Sequence, residues 1–369
     1  MKAAMFASTR YLAPYGAVWP APITSYEDET AAKSFEASME LFDLADDLGF
    51  DWVTVAEHHF SGFSMTPNPM LMAAALTQRV KKAKIALLGP NVPMLNPVRV
   101  AEEFAMLDTL TGGRVVAGMM RGTSNEYVTY NTNPAESRER LEEAVSLIKR
   151  AWTEPNPFGW QGRFFEYRSI SIWPRPVQKP HPPIYVSCSS PESGEMAARN
   201  GLGAGFAVTT LPLASEASKH YREEAHKHGW EPTQDDIVYR VGIHVANTDE
   251  EAREHLTPPA NQPRGLAQTG LSTSNRSVDD AVAGLGYYGR DAEHQRDRVG
   301  AARMAPLADR IELGAVIAGS PESCIKQIQR IHDQVGAGVL DLVFAGGGDA
   351  VKRSVELFGT KVLPKIRDV

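Results

Sequence analysis

The chain has 369 residues, 43% of them hydrophobic, which supports a large core and suits a (β/α)8 barrel with insertions as one domain. A net charge of -7 with both signs interspersed argues against a nucleic-acid surface. The two cysteines, Cys188 and Cys324, cannot build a disulfide framework. No apolar run approaches the ~20 residues that span a membrane, and the first ten residues are too weakly apolar for a signal peptide, so the expectation is a soluble, cytoplasmic protein.

The predicted elements alternate strand and helix. Ala3 to Ala7 is strand one. Thr30 to Leu48 is an amphipathic helix with Phe35, Met39, Phe42 and Ala45 on one face, closed by Gly49. Trp52 to Ala56 is strand two, Pro69 to Val80 a helix, and Ile85 to Leu88 strand three. Val98 to Leu110 is a helix, Arg114 to Gly118 strand four, and Ser137 to Trp152 a helix whose core side is Leu141, Val145, Leu147 and Ile148. Prolines 155, 157, 174, 176, 180, 182 and 183 break the pattern, so 153–183 reads as an insertion with room for a short hairpin. Ile184 to Ser187 is strand five, Pro191 to Asn200 a helix, Gly205 to Val208 strand six, and Leu213 to His228 a helix. Ile237 to Ala246 is strand seven, with a helix starting near Asp249. The stretch 256–312 is polar and glycine-rich; it reads as a mobile lid or a disordered insertion. Ser320 to Val335 is a helix, Leu340 to Ala345 strand eight, and Ala350 to Leu363 the closing helix. Eight strands alternating with helices favour a closed α/β barrel over a doubly wound sheet.

The chemistry concentrates at predicted strand ends. Strand two runs from Trp52 into Glu57, His58 and His59. Titratable residues at the carboxyl end of a buried parallel strand sit where α/β barrels do their chemistry, and histidine changes charge near neutral pH. Adjacent residues on a strand point to opposite sides, and adjacent histidines lack the four-residue spacing of the helical zinc motif. The reading is therefore one functional histidine, His58, beside a hydrogen-bonded His59, with no metal. Arg121 follows strand four and either grips a phosphate or carboxylate or forms a surface salt bridge. Ser189, Ser190 and Ser193 surround a helix start, which serves equally for capping and for anion binding. Gly89-Pro90 ends strand three and can be cis or trans. Gly346-Gly-Gly348 after strand eight either lets a ligand lie against the backbone or is a flexible turn. Cys188 has no partner that would make it a nucleophile.

These segments together resemble the bacterial luciferase-like flavin monooxygenases. Ala56-Glu-His-His-Phe60, Asn96-Pro-Val-Arg99, Leu110-Thr-Gly-Gly-Arg114, Met120-Arg-Gly122, Pro183-Ile-Tyr-Val-Ser187 and Gly319-Ser-Pro-Glu-Ser-Cys-Ile-Lys326 occur in the family's order over almost the whole chain. The resemblance implies a (β/α)8 barrel with FMN in its mouth. It implies His58 as the catalytic histidine with His59 beside it. It implies Arg121 on the flavin phosphate, with Cys188, Ser189, Ser190 and Ser193 on the phosphate turn, and Asn125 and Arg138 near the cofactor. Gly89-Pro90 falls where the family often has a cis peptide beneath the flavin ring. Two departures stand out: Ser189 replaces an acidic residue of luciferase, and Met120 replaces a reactive cysteine.

The implied function is a two-component monooxygenase. A separate flavin reductase supplies reduced FMN, and O2 adds to form a C4a-hydroperoxyflavin that oxygenates a small apolar molecule such as an aldehyde or ketone. The 258–309 segment would close over the intermediate, and Trp19, Phe6, Met94 and Phe206 are pocket candidates. A homodimer, or a heterodimer with a related subunit, is the family expectation. Two rivals remain: deazaflavin-dependent hydride transfer on the same fold, and a non-catalytic partner subunit.

Overall fold

The computed structural model describes residues 1–15, 19–257, 300, 305–345 and 349–368. Eight parallel strands close a ring: β1 (Lys2–Phe6), β2 (Trp52–Val55), β3 (Lys84–Leu87), β4 (Val115–Gly118), β7 (Ile184–Ser187), β8 (Gly203–Phe206), β9 (Ile237–Val245) and β11 (Val339–Phe344). Neighbours follow chain order, and β9 closes the barrel by pairing with β8 on one edge and β11 on the other. The expected barrel is present.

Side chains alternate in and out, as a pleated strand requires. Ala4, Trp52, Ala86, Leu88, Val116, Tyr185, Val238 and Val339 form the inner core. Met5, Val53, Ile85 and Leu87 face outward into the larger core shared with the helices. Tyr185 Oη donates to the Asp235 carbonyl at 2.7 Å, so its polar end is satisfied at the barrel floor.

Three departures from the sequence reading have physical causes. A ninth strand, β10 (Val316–Gly319), pairs with β9 through Val316↔Gly242 to Gly319↔Val245. Strand β8 stops at Phe206 opposite Tyr239, which leaves the rest of that β9 edge open for β10. Four residues ahead of a strong helix are too few to show a period. The sixth barrel strand begins at Gly203 rather than Gly205 and ends before Val208, whose φ of 55° is left-handed. In the first helix, α1 (Asp28–Leu48), the buried stripe is Ala31, Ser34, Ser38, Phe42 and Ala45, leaving Phe35 exposed.

The 153–183 excursion contains an antiparallel hairpin, β5 (Phe158–Gln161) with β6 (Glu166–Ile170). Most of the stretch read as a lid, and Gly346 to Gly348, lie outside the described residues. Among the described residues no helix is long and apolar enough to cross a membrane.

Candidate active site

The carboxyl end of β2 is fastened to that of β3. A Cβ on Gly89 would lie 2.3 Å from Ala56 Cα and 2.4 Å from Glu57 N, so the two chain segments touch backbone to backbone and only glycine fits. Glu57 Oε1 accepts from Asn91 Nδ2 at 2.9 Å, and Glu57 Oε2 from Asn91 N at 3.2 Å. The Gly89-Pro90 bond is trans, not the cis bond implied by the resemblance. In the trans form the Pro90 carbonyl accepts from Val92 N at 3.0 Å and Met120 N at 2.9 Å, which carries the β3–β4 contact past the strand ends.

β2 ends at Val55, before the two histidines, and they take separate partners. His59 is buried, with Nε2 at 3.1 Å from Glu57 Oε1 and 3.4 Å from Tyr130 Oη. Its carbonyl accepts from Trp19 Nε1 at 2.9 Å. His58 turns the other way. Its Nδ1 lies 3.2 Å from Glu126 Oε1, and its side chain keeps 16% exposure. No described residue bonds its Nε2.

Glu126 belongs to a short helix, α4 (Ser124–Thr129), absent from the sequence reading. Thr123 and Glu126 form a capping box, with Thr123 N donating to Oε2 at 2.8 Å and the Thr123 hydroxyl closing on the same oxygen. Burial pushes the Glu126 carboxyl up. The His58 hydrogen bond and charge, with the Thr123 bonds, outweigh burial and hold it below the usual carboxylate range. An ionised, buried carboxylate on Nδ1 accepts the Nδ1 proton and so fixes the tautomer in which Nε2 is the acceptor. Burial, then the Glu57 and Glu126 carboxylates, raise the Tyr130 phenol, so it stays protonated.

A cationic, hydroxyl-rich cluster lies beside this pair. Arg121 Nη1 donates to Ser137 Oγ at 3.3 Å, and Tyr127 Oη donates to the Arg121 carbonyl at 2.5 Å. Ser137 opens α5 (Ser137–Thr153), and the next residue, Arg138, reaches Ser190 Oγ at 3.2 Å and lies 3.9 Å from the Glu192 carboxylate. Ser190 and Ser193 form the capping box of α6 (Pro191–Arg199). Arg121, Ser190 and Ser193, expected at the phosphate, are thus linked through two helix starts to Arg138, expected only near the cofactor. Ser189 is exposed, with its hydroxyl 3.2 Å from Ser187 Oγ.

The remaining expected residues differ in what they offer a ligand. Asn125 is buried, and its Oδ1 has no hydrogen-bond partner among the described residues. A buried acceptor of this kind fits a bound group that carries a donor. The Cys188 side chain instead packs in the outer core, burial pushes its thiol up to about 12, and its N–H donates to the Gly205 carbonyl at 2.9 Å. Two guanidinium groups, serine hydroxyls and a helix start suit the phosphate of FMN, and Asn125 Oδ1 suits a flavin N–H. Residues 17–338 match the family model described as luciferase-like monooxygenase. The oxygenase component of the flavin-dependent trigonelline monooxygenase of Acinetobacter baylyi is 28% identical over 62% of this chain. The chain spans 64% of that relative's length, and 52% of an uncharacterized Sinorhizobium fredii protein, y4wF, that is 33% identical.

Among solved structures, the oxygenating constituent of 3,6-diketocamphane monooxygenase from Pseudomonas putida, in complex with FMN, superposes with a TM-score of 0.75 at 19% identity, covering 99% of this chain and 98% of that one. An F420-dependent secondary alcohol dehydrogenase shares the fold at 0.71 and 18%, covering 98% of each chain. The family match over residues 17–338, with the histidine pair and the cationic cluster at the strand ends, makes the chain a member of the luciferase-like monooxygenases.

Proposed function

We propose that the protein is the oxygenase of a two-component system, taking reduced FMN from a separate reductase and using O2 to oxygenate a small, largely apolar organic molecule. One observation carries this reading: His58, backed by buried Glu126, presents an Nε2 that no described residue bonds, beside the Arg121–Arg138–Ser190 cluster. Reduced flavin, when bound, supplies the oxygen-activating chemistry. Arg121, Arg138, Ser190 and Ser193 hold its phosphate, and Asn125, Gly89 and Pro90 border its ring. His58 holds or moves one proton at Nε2, and His59 keeps the end of β2 in place through Glu57. The Acinetobacter relative, named as an oxygenase component, supports a reductase partner. A dimer in the cytoplasm completes the proposal.

The test is to mix the purified protein with reduced FMN in air and follow oxygen uptake and flavin absorbance. Tight binding with reoxidation slower than that of free flavin is the expected result. Reoxidation at the free-flavin rate with no binding would shift the assignment elsewhere. The F420-dependent structural neighbour gives the second reading its support. Binding of F420 in preference to FMN, with no effect on oxygen uptake, would favour hydride transfer.

A further inference from the structure

The barrel interior holds an ion pair that neither the histidines nor the phosphate cluster uses. Val238 and Val339 belong to the inner core. Two residues on, Arg240 and Asp341 face the same way, one layer nearer the mouth, and they are register partners across β9 and β11. Arg240 Nε donates to Asp341 Oδ2 at 2.5 Å. The guanidinium carbon sits 4.3 Å from the centroid of the Phe6 ring. Asp341 is fully buried, yet the Arg240 side chain keeps 22% exposure.

Both partners have unmet hydrogen-bonding capacity. Among the described residues, Asp341 Oδ1 is buried with no partner, as is Thr54 Oγ1, two residues beyond inward-facing Trp52. No described residue accepts from either Nη group of Arg240. A buried ion pair that only fills space is costly unless its remaining atoms are bonded. Here Asp341 and Phe6 grip the Nε side and one face of the guanidinium, which leaves the Nη fork for something else. The flavin phosphate is not that ligand. Arg121 and Arg138 lie beyond β4, four strands from β11 and so across the barrel.

We propose that Arg240 is the anchor for a carboxylate on the substrate, which makes the substrate an organic acid with an apolar body. The planar Nη fork matches two carboxylate oxygens, whereas a lone carbonyl would use one arm. Asp341 is a positioning residue that fixes the fork. This proposal rests on the monooxygenase reading for what happens to the acid, but not for its binding.

The probes are benzoate and its neutral isostere benzamide, titrated into the full-length protein by ligand-observed NMR, with FMN affinity measured in parallel by flavin fluorescence. Wild type should bind benzoate about tenfold or more tightly than benzamide, as a charge-assisted pair warrants. Arg240→Met should abolish that preference and leave FMN affinity unchanged. Arg240→Lys, the milder change should the methionine variant fail to fold, should retain only part of the preference. Equal or absent binding of the two probes to wild type, a preference that survives Arg240→Met or stays undiminished in Arg240→Lys, or a loss of FMN affinity in Arg240→Met overturns the proposal. Benzoate preference in a wild-type protein that fails to bind FMN would keep the anchor and sink the monooxygenase reading.

Discussion

His58 Nδ1 and Glu126 Oε1 meet at 3.2 Å across 68 residues of sequence, one from the end of β2 and the other from the short helix after β4. The carboxylate is buried and further held by Thr123, so it can serve the imidazole only by staying ionised. Replacing Glu126 by glutamine keeps the shape and removes the charge. Glu126→Gln should lower turnover about a hundredfold, in the range of a lost general acid–base contribution, and leave FMN affinity unchanged. Steady-state kinetics beside FMN titration checks this. Loss of FMN binding would instead give Glu126 a purely architectural role.

The phosphate cluster should respond differently. Arg138 touches Ser190 at 3.2 Å and approaches Glu192 at 3.9 Å, bridging α5 to the start of α6. Arg138→Ala should weaken FMN binding roughly tenfold to a hundredfold, as expected for a charged hydrogen bond worth about 1.5–3 kcal/mol. Turnover at saturating FMN should change little. An unchanged dissociation constant would move the phosphate away from this cluster.

His244 ties stability to pH. His244 Nδ1 lies 2.7 Å from the Ala345 carbonyl, which can only accept, so Nδ1 carries the proton. His244 Nε2 then accepts from His255 Nδ1 at 2.9 Å. Burial lowers the His244 imidazole below its ordinary 6.5. The Ala345 carbonyl opposes this, and His255 adds to the lowering. A histidine lowered on folding binds fewer protons folded than unfolded just below 6.5. Its contribution to stability is therefore complete at higher pH and falls away as pH drops through 6.5 toward the lowered value. Urea midpoints should decline between about pH 7.5 and 5.5 more steeply in wild type than in His244→Gln. Equal slopes would remove His244 as a cause.

How much of this was legible in sequence follows from the range of each interaction. The eight barrel strands could be read because alternation and burial are local properties, whereas His58 and His59 lie past the end of β2 and owe their separate partners to tertiary contacts. Glu126 could have been found from Thr123-x-x-Glu126, a capping-box spacing, but its contact with His58 is tertiary. Arg240 and Asp341 sit in apolar runs as single charges. Only the register that sets one opposite the other reveals a pair. A trans Gly89-Pro90 bond is the default for such a pair; what the pair does not encode is the approach of Met120 and Val92, whose N–H groups bond the Pro90 carbonyl.

Gly89 gives the sharpest structural test of how β3 supports the histidines. An added methyl would meet Ala56 Cα, Glu57 N and Ala56 C at 2.3, 2.4 and 2.6 Å, all backbone atoms with no rotamer to escape into. Gly89→Ala must therefore push the ends of β2 and β3 apart. Glu57 spans that seam through Asn91 and holds His59 from the same carboxylate, so the histidine pair moves with it. The expected result is a stability loss of about 1–3 kcal/mol, typical of overpacking. Turnover should fall more than stability predicts, because a shift of ~1 Å in a positioned group can cost about a hundredfold in rate. Chemical denaturation and kinetics on the same sample separate the two effects. A variant that loses stability but keeps full turnover would mean that the β2–β3 seam holds the fold without setting the position of His58.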